Sequence, residues 1–330
     1  MRRASLAIAA LALVLFAPAA LAGASASAKL VLVAYSTPRE AYAEIIPAFQ
    51  KTAAGKDVDF DQSYGASGEQ ALAVRAGLKA DLVALSLEPD VSILVKAGLI
   101  APNWNKDRYH GMVTDSVVVF VLRNGNPKHI KTWDDLLKKG VEVINPNPFT
   151  SGGARWNIMA AYGAWRVEGK THKQAVANLT KLFKNISVQD KSAREALQTF
   201  TSGKGDVFLS YENEALFARS KGQNLQYIIP KSTILIENPI AILKGTQYPQ
   251  QAKAFVNFLR TPAAQRIFAK NGYRPILKGV LEDWRVNFPK RPNLFTIKRF
   301  GGWAKVQKQF FDPNTGIVAK IERGKGVSTG

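Results

Sequence analysis

The residues best placed to do chemistry in this chain are serines and glycines, and the chemistry they suit is the capture of an anion. The stretch Asn145-Pro-Asn-Pro-Phe-Thr-Ser-Gly-Gly-Ala-Arg-Trp-Asn157 shows the arrangement most plainly. The short run Val141-Glu-Val-Ile144 before it reads as a strand, and the alanine-rich run from Ile158 to Trp165 after it reads as a helix. Between them Thr150 and Ser151 stand in N-cap position, followed by Gly152 and Gly153. A helix start carries N–H groups without intrahelical partners and about half a unit of positive charge, so it favours a negative ligand. Glycines there leave the backbone open to close approach.

One such start is the signature of any well-capped helix, but this construction recurs three times. Leu30-Val-Leu-Val-Ala34 runs into Tyr35-Ser-Thr-Pro-Arg-Glu40, where Ser36 and Thr37 are expected to cap a helix holding Pro38 and Glu40 in its first turn. The strand beginning at Val58 leads through a Gly65-Ala-Ser-Gly68 loop to a helix expected over Glu69 to Ala76, with Ser67 as N-cap. The strand Ile186-Ser-Val-Gln189 leads to Asp190-Lys-Ser-Ala-Arg-Glu195, with Ser192 as the cap and Ala193 just behind it. A further strand, Val207 to Ser210, ends at Tyr211.

Enzyme signatures come close and fail. Gly65-Ala-Ser-Gly-Glu69 lacks the last glycine of a nucleophile elbow, and Ser67 would also need a histidine base. The chain has only His110, His129 and His172, each in a polar stretch that reads as solvated surface. Gly169-Lys-Thr171 ends like a phosphate-binding loop but lacks its first glycine, with Ala164 in that place. No histidine–cysteine cluster offers a transition-metal site, and no adjacent tyrosines exist to hold ferric iron. The reading is a binding protein without cofactor or metal; a secreted serine hydrolase using Ser67 is the enzyme alternative.

The elements that position these residues alternate strand and helix almost throughout, which predicts an α/β fold with largely parallel sheets. Ligands in such sheets sit beyond the carboxyl ends of strands, where the four junctions lie. Ser116 to Leu122 is apolar enough for a buried strand or crossover, and Thr233 to Ile236 with Ile240 to Leu243 flank Asn238-Pro239 on the way back. Residues 1–28 read as a signal peptide: Arg2 and Arg3, an apolar core from Leu6 to Ala20, and cleavage motifs ending at Ala22 and Ala28. Without cysteine there is neither a lipid attachment site nor a disulfide, so a free periplasmic product is expected. The net charge of +20, or +18 without Arg2 and Arg3, is spread along the chain and densest after Lys278. Such a field draws in small anions or an acidic surface; no polybasic arm marks it for nucleic acid.

With these residues in view, the chain resembles the periplasmic sulfate- and thiosulfate-binding proteins of ATP-binding-cassette importers, from about Leu30 to Ile321. The blocks that carry the likeness are Asp61-Gln-Ser-Tyr-Gly-Ala-Ser-Gly68, Asn145-Pro-Asn-Pro148 with Ser151 to Asn157, and Tyr211-Glu-Asn-Glu-Ala-Leu216. Asn271-Gly-Tyr-Arg-Pro275, Leu294-Phe-Thr-Ile297 and Phe300-Gly-Gly-Trp-Ala-Lys305 complete them. The resemblance implies a type 2 periplasmic-binding fold, with two α/β lobes joined by crossover strands and the ligand in the cleft. It divides the chain into lobe 1 (29–114 plus 233–277), lobe 2 (115–232) and a C-terminal extension (278–330) packing on the lobes. It implies a monomer that passes sulfate or thiosulfate to a membrane permease, with molybdate or phosphate as alternative oxyanions. The donors it implies are the Ser67 and Ser151 hydroxyls and the N–H groups of Ser36, Gly152, Gly153 and Ala193. Tyr211 stands where a tryptophan is common in the family, which puts a hydroxyl able to donate or accept in place of a pure donor. Ser36 stands where aspartate is frequent and is expected to act through its N–H.

Overall fold

The computed structural model describes residues 27–327, apart from 292, together with residue 329. The signal peptide read at 1–28 therefore lies almost wholly outside the described residues. The first half of the fold is built from β1 (Ala28–Tyr35), α1 (Arg39–Gln50), β2 (Val58–Gly65), α2 (Ser67–Arg75), β3 (Leu82–Ala84) and α3 (Glu88–Lys96). A long strand β4 (Met112–Arg123) leads to β5 (Val143–Ile144), α4 (Gly152–Val167), α5 (His172–Asn185), β6 (Ile186–Val188) and α6 (Ala193–Thr201). Then come β7 (Val207–Tyr211), α7 (Glu212–Ser220), β8 (Leu225–Ile228) and the long return strand β9 (Ser232–Ile242). Helices α8 (Pro249–Leu259), α9 (Pro262–Lys270) and α10 (Lys278–Asp283), strand β10 (Asn293–Phe295), and helices α11 (Gly302–Val306) and α12 (Ile317–Arg323) complete the chain.

The strands form one continuous sheet in the order β2-β1-β3-β9-β4-β7-β5-β6, with β8 beside β4 and β10 beside β9. The outer pairs β1–β2, β1–β3, β5–β6 and β5–β7 are parallel, as the strand–helix alternation predicts. The two long strands run antiparallel through the middle, pairing Thr114 with Asn238 and Val117 with Leu235. Each also reaches an outer group: β9 pairs β3 at Ile240, and β4 pairs β7 from Val118 onward. Two α/β halves are thus joined by a pair of crossover strands.

The return crossover differs from the two runs flanking Asn238-Pro239 that the sequence suggests. It is one unbroken strand through Pro239. Proline has no N–H for the ladder, and β4 accommodates it with a register shift between Met112 and Thr114. Two helix starts also differ. Ser36 and Thr37 do not cap α1, whose N-cap is Pro38 with no side-chain bond. Thr37 Oγ1 instead shares a 2.9 Å bond with Tyr273 Oη, a tertiary contact that local capping cannot match. Strand β2 continues to Gly65 and α2 begins at Ser67, with Ala66 as the extended N-cap.

Helix α4 is the axis of the molecule. Every residue from Gly152 to Trp165 is buried, so this helix is enclosed on all sides, with Arg155 and Asn157 paired within the protein. The segment beyond α10 packs on it. Trp303 meets Trp156 edge to face with ring centroids 4.6 Å apart. Phe295 and Phe300 fill the notch at Gly163, where a Cβ would stand 2.2 Å from Phe295 Cε2. The C-terminal segment also supplies strand β10, paired in parallel with β9. Trp303→Ala should leave a cavity against Trp156 and lower unfolding free energy by about 3–5 kcal/mol, measured by urea denaturation. A loss below about 1 kcal/mol would show that this segment does not support α4.

Candidate functional site

The site is built where the carboxyl ends of the parallel strands meet helix starts. The loop before α4 is pinned first. Asn147 N–H donates to Asp190 O at 2.8 Å, and Ser151 N–H and Phe149 N–H fold back on Asn147 O and Oδ1, both at 2.8 Å. Thr150 Oγ1 donates to Lys191 O at 2.7 Å, tying this loop to the one before α6. Gly68 N–H donates to Thr150 O at 2.9 Å, tying it to α2. Helix α4 is fixed in turn by Trp156 Nε1 donating to Ser86 O at 2.9 Å and Asn157 Nδ2 donating to Leu209 O at 2.7 Å.

These ties bring helix starts together around one small cavity of about 10 Å³. Its walls are Tyr35, Ser36, Thr37, Ala66, Ser67, Ser86, Ser151, Gly152, Gly153, Ser192, Ala193 and Tyr211. Ala66, Ser151, Ser192 and Tyr211 are the N-caps of α2, α4, α6 and α7, so four helix dipoles point their positive ends inward. No wall residue carries a formal charge. Larger clefts, of about 550 and 580 Å³, are open to solvent and lined by none of these residues. The room is about that of one water-sized sphere, so a ligand here must be small or must part the walls.

All seven residues expected from the sequence line this cavity. Gly152, Gly153 and Ala193 sit in first helical turns, where N–H groups lack intrahelical acceptors. Ser151 Oγ caps α4 by accepting from Ala154 N–H at 3.4 Å, which leaves its own proton for a ligand. Ser36 lies between β1 and the turn before α1 rather than at a helix start. Ser67 differs most from expectation. It is the first residue of α2 rather than its cap, and its hydroxyl donates to Asp90 Oδ2 at 2.6 Å while accepting from Ser86 N–H at 2.9 Å. An anion drawing on the Ser67 proton therefore competes with Asp90. No imidazole stands beside Ser67; His110, His129 and His172 are all exposed.

Charge is held one layer behind the walls. Asp90 is buried, and Arg155 Nη1 lies 3.3 Å from its Oδ1. Burial pushes this carboxyl up, opposed by the Arg155 charge and the Ser67 bond. Arg194, directly behind Ala193, pairs with Glu40 at 2.8 Å and Glu214 at 3.0 Å. The pairs join α3 to α4 and α1 to α6, and so bind the two halves of the sheet across the cavity. Ser86 has no counterpart among the residues expected. It lies two residues beyond the end of β3, so the rule that ligands lie beyond strand ends points to it.

With this geometry in hand, similarity to known proteins adds the family. Residues 30–274 match the family described as bacterial extracellular solute-binding protein. The chain is 45% identical to the sulfate-binding protein of Synechococcus elongatus, over 88% of this chain and 85% of that one. It is 35% identical to the thiosulfate-binding protein of Pseudomonas aeruginosa, over 88% and 92%. Its fold superposes on the sulfate-binding protein of Mycobacterium tuberculosis with a TM-score of 0.84 and 41% identity, covering 86% of this chain and all of that one.

The two glycines should respond differently to substitution. A Cβ at Gly152 would stand 2.0 Å from Leu87 Cδ2 and 2.8 Å from Ser86 Cβ, whereas one at Gly153 finds ordinary contacts at 3.5 Å and beyond. Gly152→Ala is expected to weaken oxyanion affinity by roughly 5- to 150-fold through overpacking between α4 and the Ser86–Leu87 segment. Gly153→Ala is expected to bind within about threefold of the natural chain, while Gly153→Asp, whose carboxylate takes the anion's place, abolishes binding. Calorimetric titration with tetrahedral oxyanions checks this, and equal effects of the two alanines would contradict the packing account.

Proposed function

The chain belongs to the bacterial extracellular solute-binding proteins, and from that premise we propose that it captures sulfate, or thiosulfate, as a dehydrated dianion. The observation that carries this reading is a small cavity lined by uncharged residues only, into which four helix N-termini point. We assign the N–H groups of Ser36, Gly152, Gly153 and Ala193, the Ser67 and Ser151 hydroxyls, and the Tyr211 side chain as the groups that hold the anion. We take 29–114 with 233–277 as one closing lobe, 115–232 as the other, and 278–330 as the extension that braces α4. Export through the signal at 1–28 would deliver a monomer to the periplasm, where it passes its anion to the permease of an ATP-driven importer.

The chemistry of the walls favours these ligands. Sulfate is fully ionised near neutral pH and offers acceptors only, so backbone N–H groups can satisfy every side of it. Partial charges at helix termini disperse two negative charges without a buried lysine that would need its own partner. A protonated oxyanion needs, in addition, an acceptor for its O–H, and leaving that group unpaired costs about 1–3 kcal/mol.

Sulfate should raise the thermal stability of the mature chain, by about 2.7 kcal/mol at a hundredfold excess over Kd. An unmoved melting temperature in millimolar sulfate at low salt would contradict the assignment. The basic surface should act on capture, since exposed charges work through a field screened over about 10 Å at 0.1 M salt. Stopped-flow association should slow with added chloride salt while dissociation holds nearly constant. A salt effect confined to dissociation would mean that a lysine or arginine touches the anion.

A further inference from the structure

Ser86 is one of five wall residues that the seven proposed ligand groups leave out, and its surroundings are well defined. Its main chain is fixed by three bonds: its N–H donates to Ser67 Oγ, and its carbonyl accepts from Trp156 Nε1 and, at 3.0 Å, from Asn238 Nδ2. Only its side chain is free to serve the cavity. Ser86 Oγ and Tyr211 Oη share a hydrogen bond of 2.5 Å, and both residues are 1% exposed. Burial pushes the Tyr211 phenol well up, so both hydroxyls keep their protons.

Two hydroxyls in contact hold two protons and four lone pairs. One proton joins them. Among the described residues, the second has no protein acceptor. The pair therefore offers the cavity one donor and spare acceptor capacity, beside the backbone N–H groups and the Tyr35, Ser67 and Ser151 hydroxyls of the same wall. Facing a dianion, Ser86 donates to Tyr211 Oη and Tyr211 donates to the anion. Facing a monoprotonated tetrahedral oxyanion, the ligand O–H donates to Ser86 Oγ, Ser86 donates to Tyr211 Oη, and Tyr211 donates to a second ligand oxygen. Every proton has an acceptor in both arrangements.

We propose that Ser86, through its bond to Tyr211, is the residue that lets this site admit monoprotonated tetrahedral oxyanions of the hydrogen phosphate class alongside sulfate. The proposal rests on the oxyanion-binding reading of the same cavity and adds the group that determines which protonation states it accepts. With Ser86 donating to Tyr211 Oη, an acceptor site of the phenol is taken, and Ser86 Oγ keeps its lone pairs for a ligand O–H.

The test compares the natural protein with Ser86→Ala by calorimetric titration with sulfate, selenate and phosphate, at a pH where phosphate is its monoprotonated dianion. The alanine keeps all three backbone bonds, and sulfate binding itself reports that the variant is folded. Sulfate and selenate affinities should change together, because each meets only the Tyr211 donor of the pair. Phosphate affinity should fall roughly 5- to 150-fold further than theirs, as expected for an O–H buried without its acceptor. Selenate, unprotonated like sulfate, controls for the room that the missing hydroxyl leaves. An unchanged phosphate-to-sulfate ratio would overturn the role of Ser86, as would equal loss of all three anions. Absence of sulfate binding by the natural protein would instead overturn the function on which the proposal rests.

Discussion

On the oxyanion reading, the constraint behind the whole structure is that a doubly charged ion stripped of water must be satisfied by groups that carry no charge. Burying a charge without compensation is prohibitive, and a buried lysine or arginine in contact would need its own desolvation offset. Aligned helix starts answer both demands, since each contributes unpaired N–H groups and a share of positive charge. A parallel sheet is the architecture that supplies them, because its strands deliver helix after helix to one edge. Here the caps of α2, α4, α6 and α7 meet at one cavity whose walls carry no formal charge.

Directional donors are useful only if they are held rigidly, and the burial of α4 follows from that. This helix is packed on every side, its indole and amide groups bond to Ser86 and Leu209, and Trp303 closes its outer flank. The full charges are displaced one layer outward and paired there. Arg155 meets Asp90 and Arg194 meets Glu40 across the two halves of the sheet, and Glu214 holds Arg194 from its own half. These paired charges join the two halves behind a cavity that none of them lines.

Much of this was legible in the residues because cap chemistry is local. Ser151 and Ser192 bond N–H groups three positions ahead, so spacing alone identifies them. The parallel arrangement follows from the alternation of apolar runs with helical patterns. What could not be read depends on partners distant in the chain. Ser67 looks like a cap, yet Gly65 extends the strand, and the serine turns to Asp90, 23 residues on. Thr37 looks like a cap, yet it bonds Tyr273. Ser86 carries no local signal beyond its place after a short strand, and its partner Tyr211 is 125 residues away. The proline in β9 reads as a break until the register shift in β4 is seen.

The central claim is that the anion is held by neutral donors alone, with the cations kept a layer behind. A crystal structure of the mature protein grown with sulfate tests it most directly. The account predicts the anion in the cavity, with the N–H groups of Gly152, Gly153 and Ala193 and the Ser151 hydroxyl within about 2.7–3.2 Å of its oxygens. It also predicts Arg155 and Arg194 still engaged with Asp90 and Glu40. A lysine or arginine nitrogen in direct contact with the sulfate, or the anion bound outside this cavity, would contradict it.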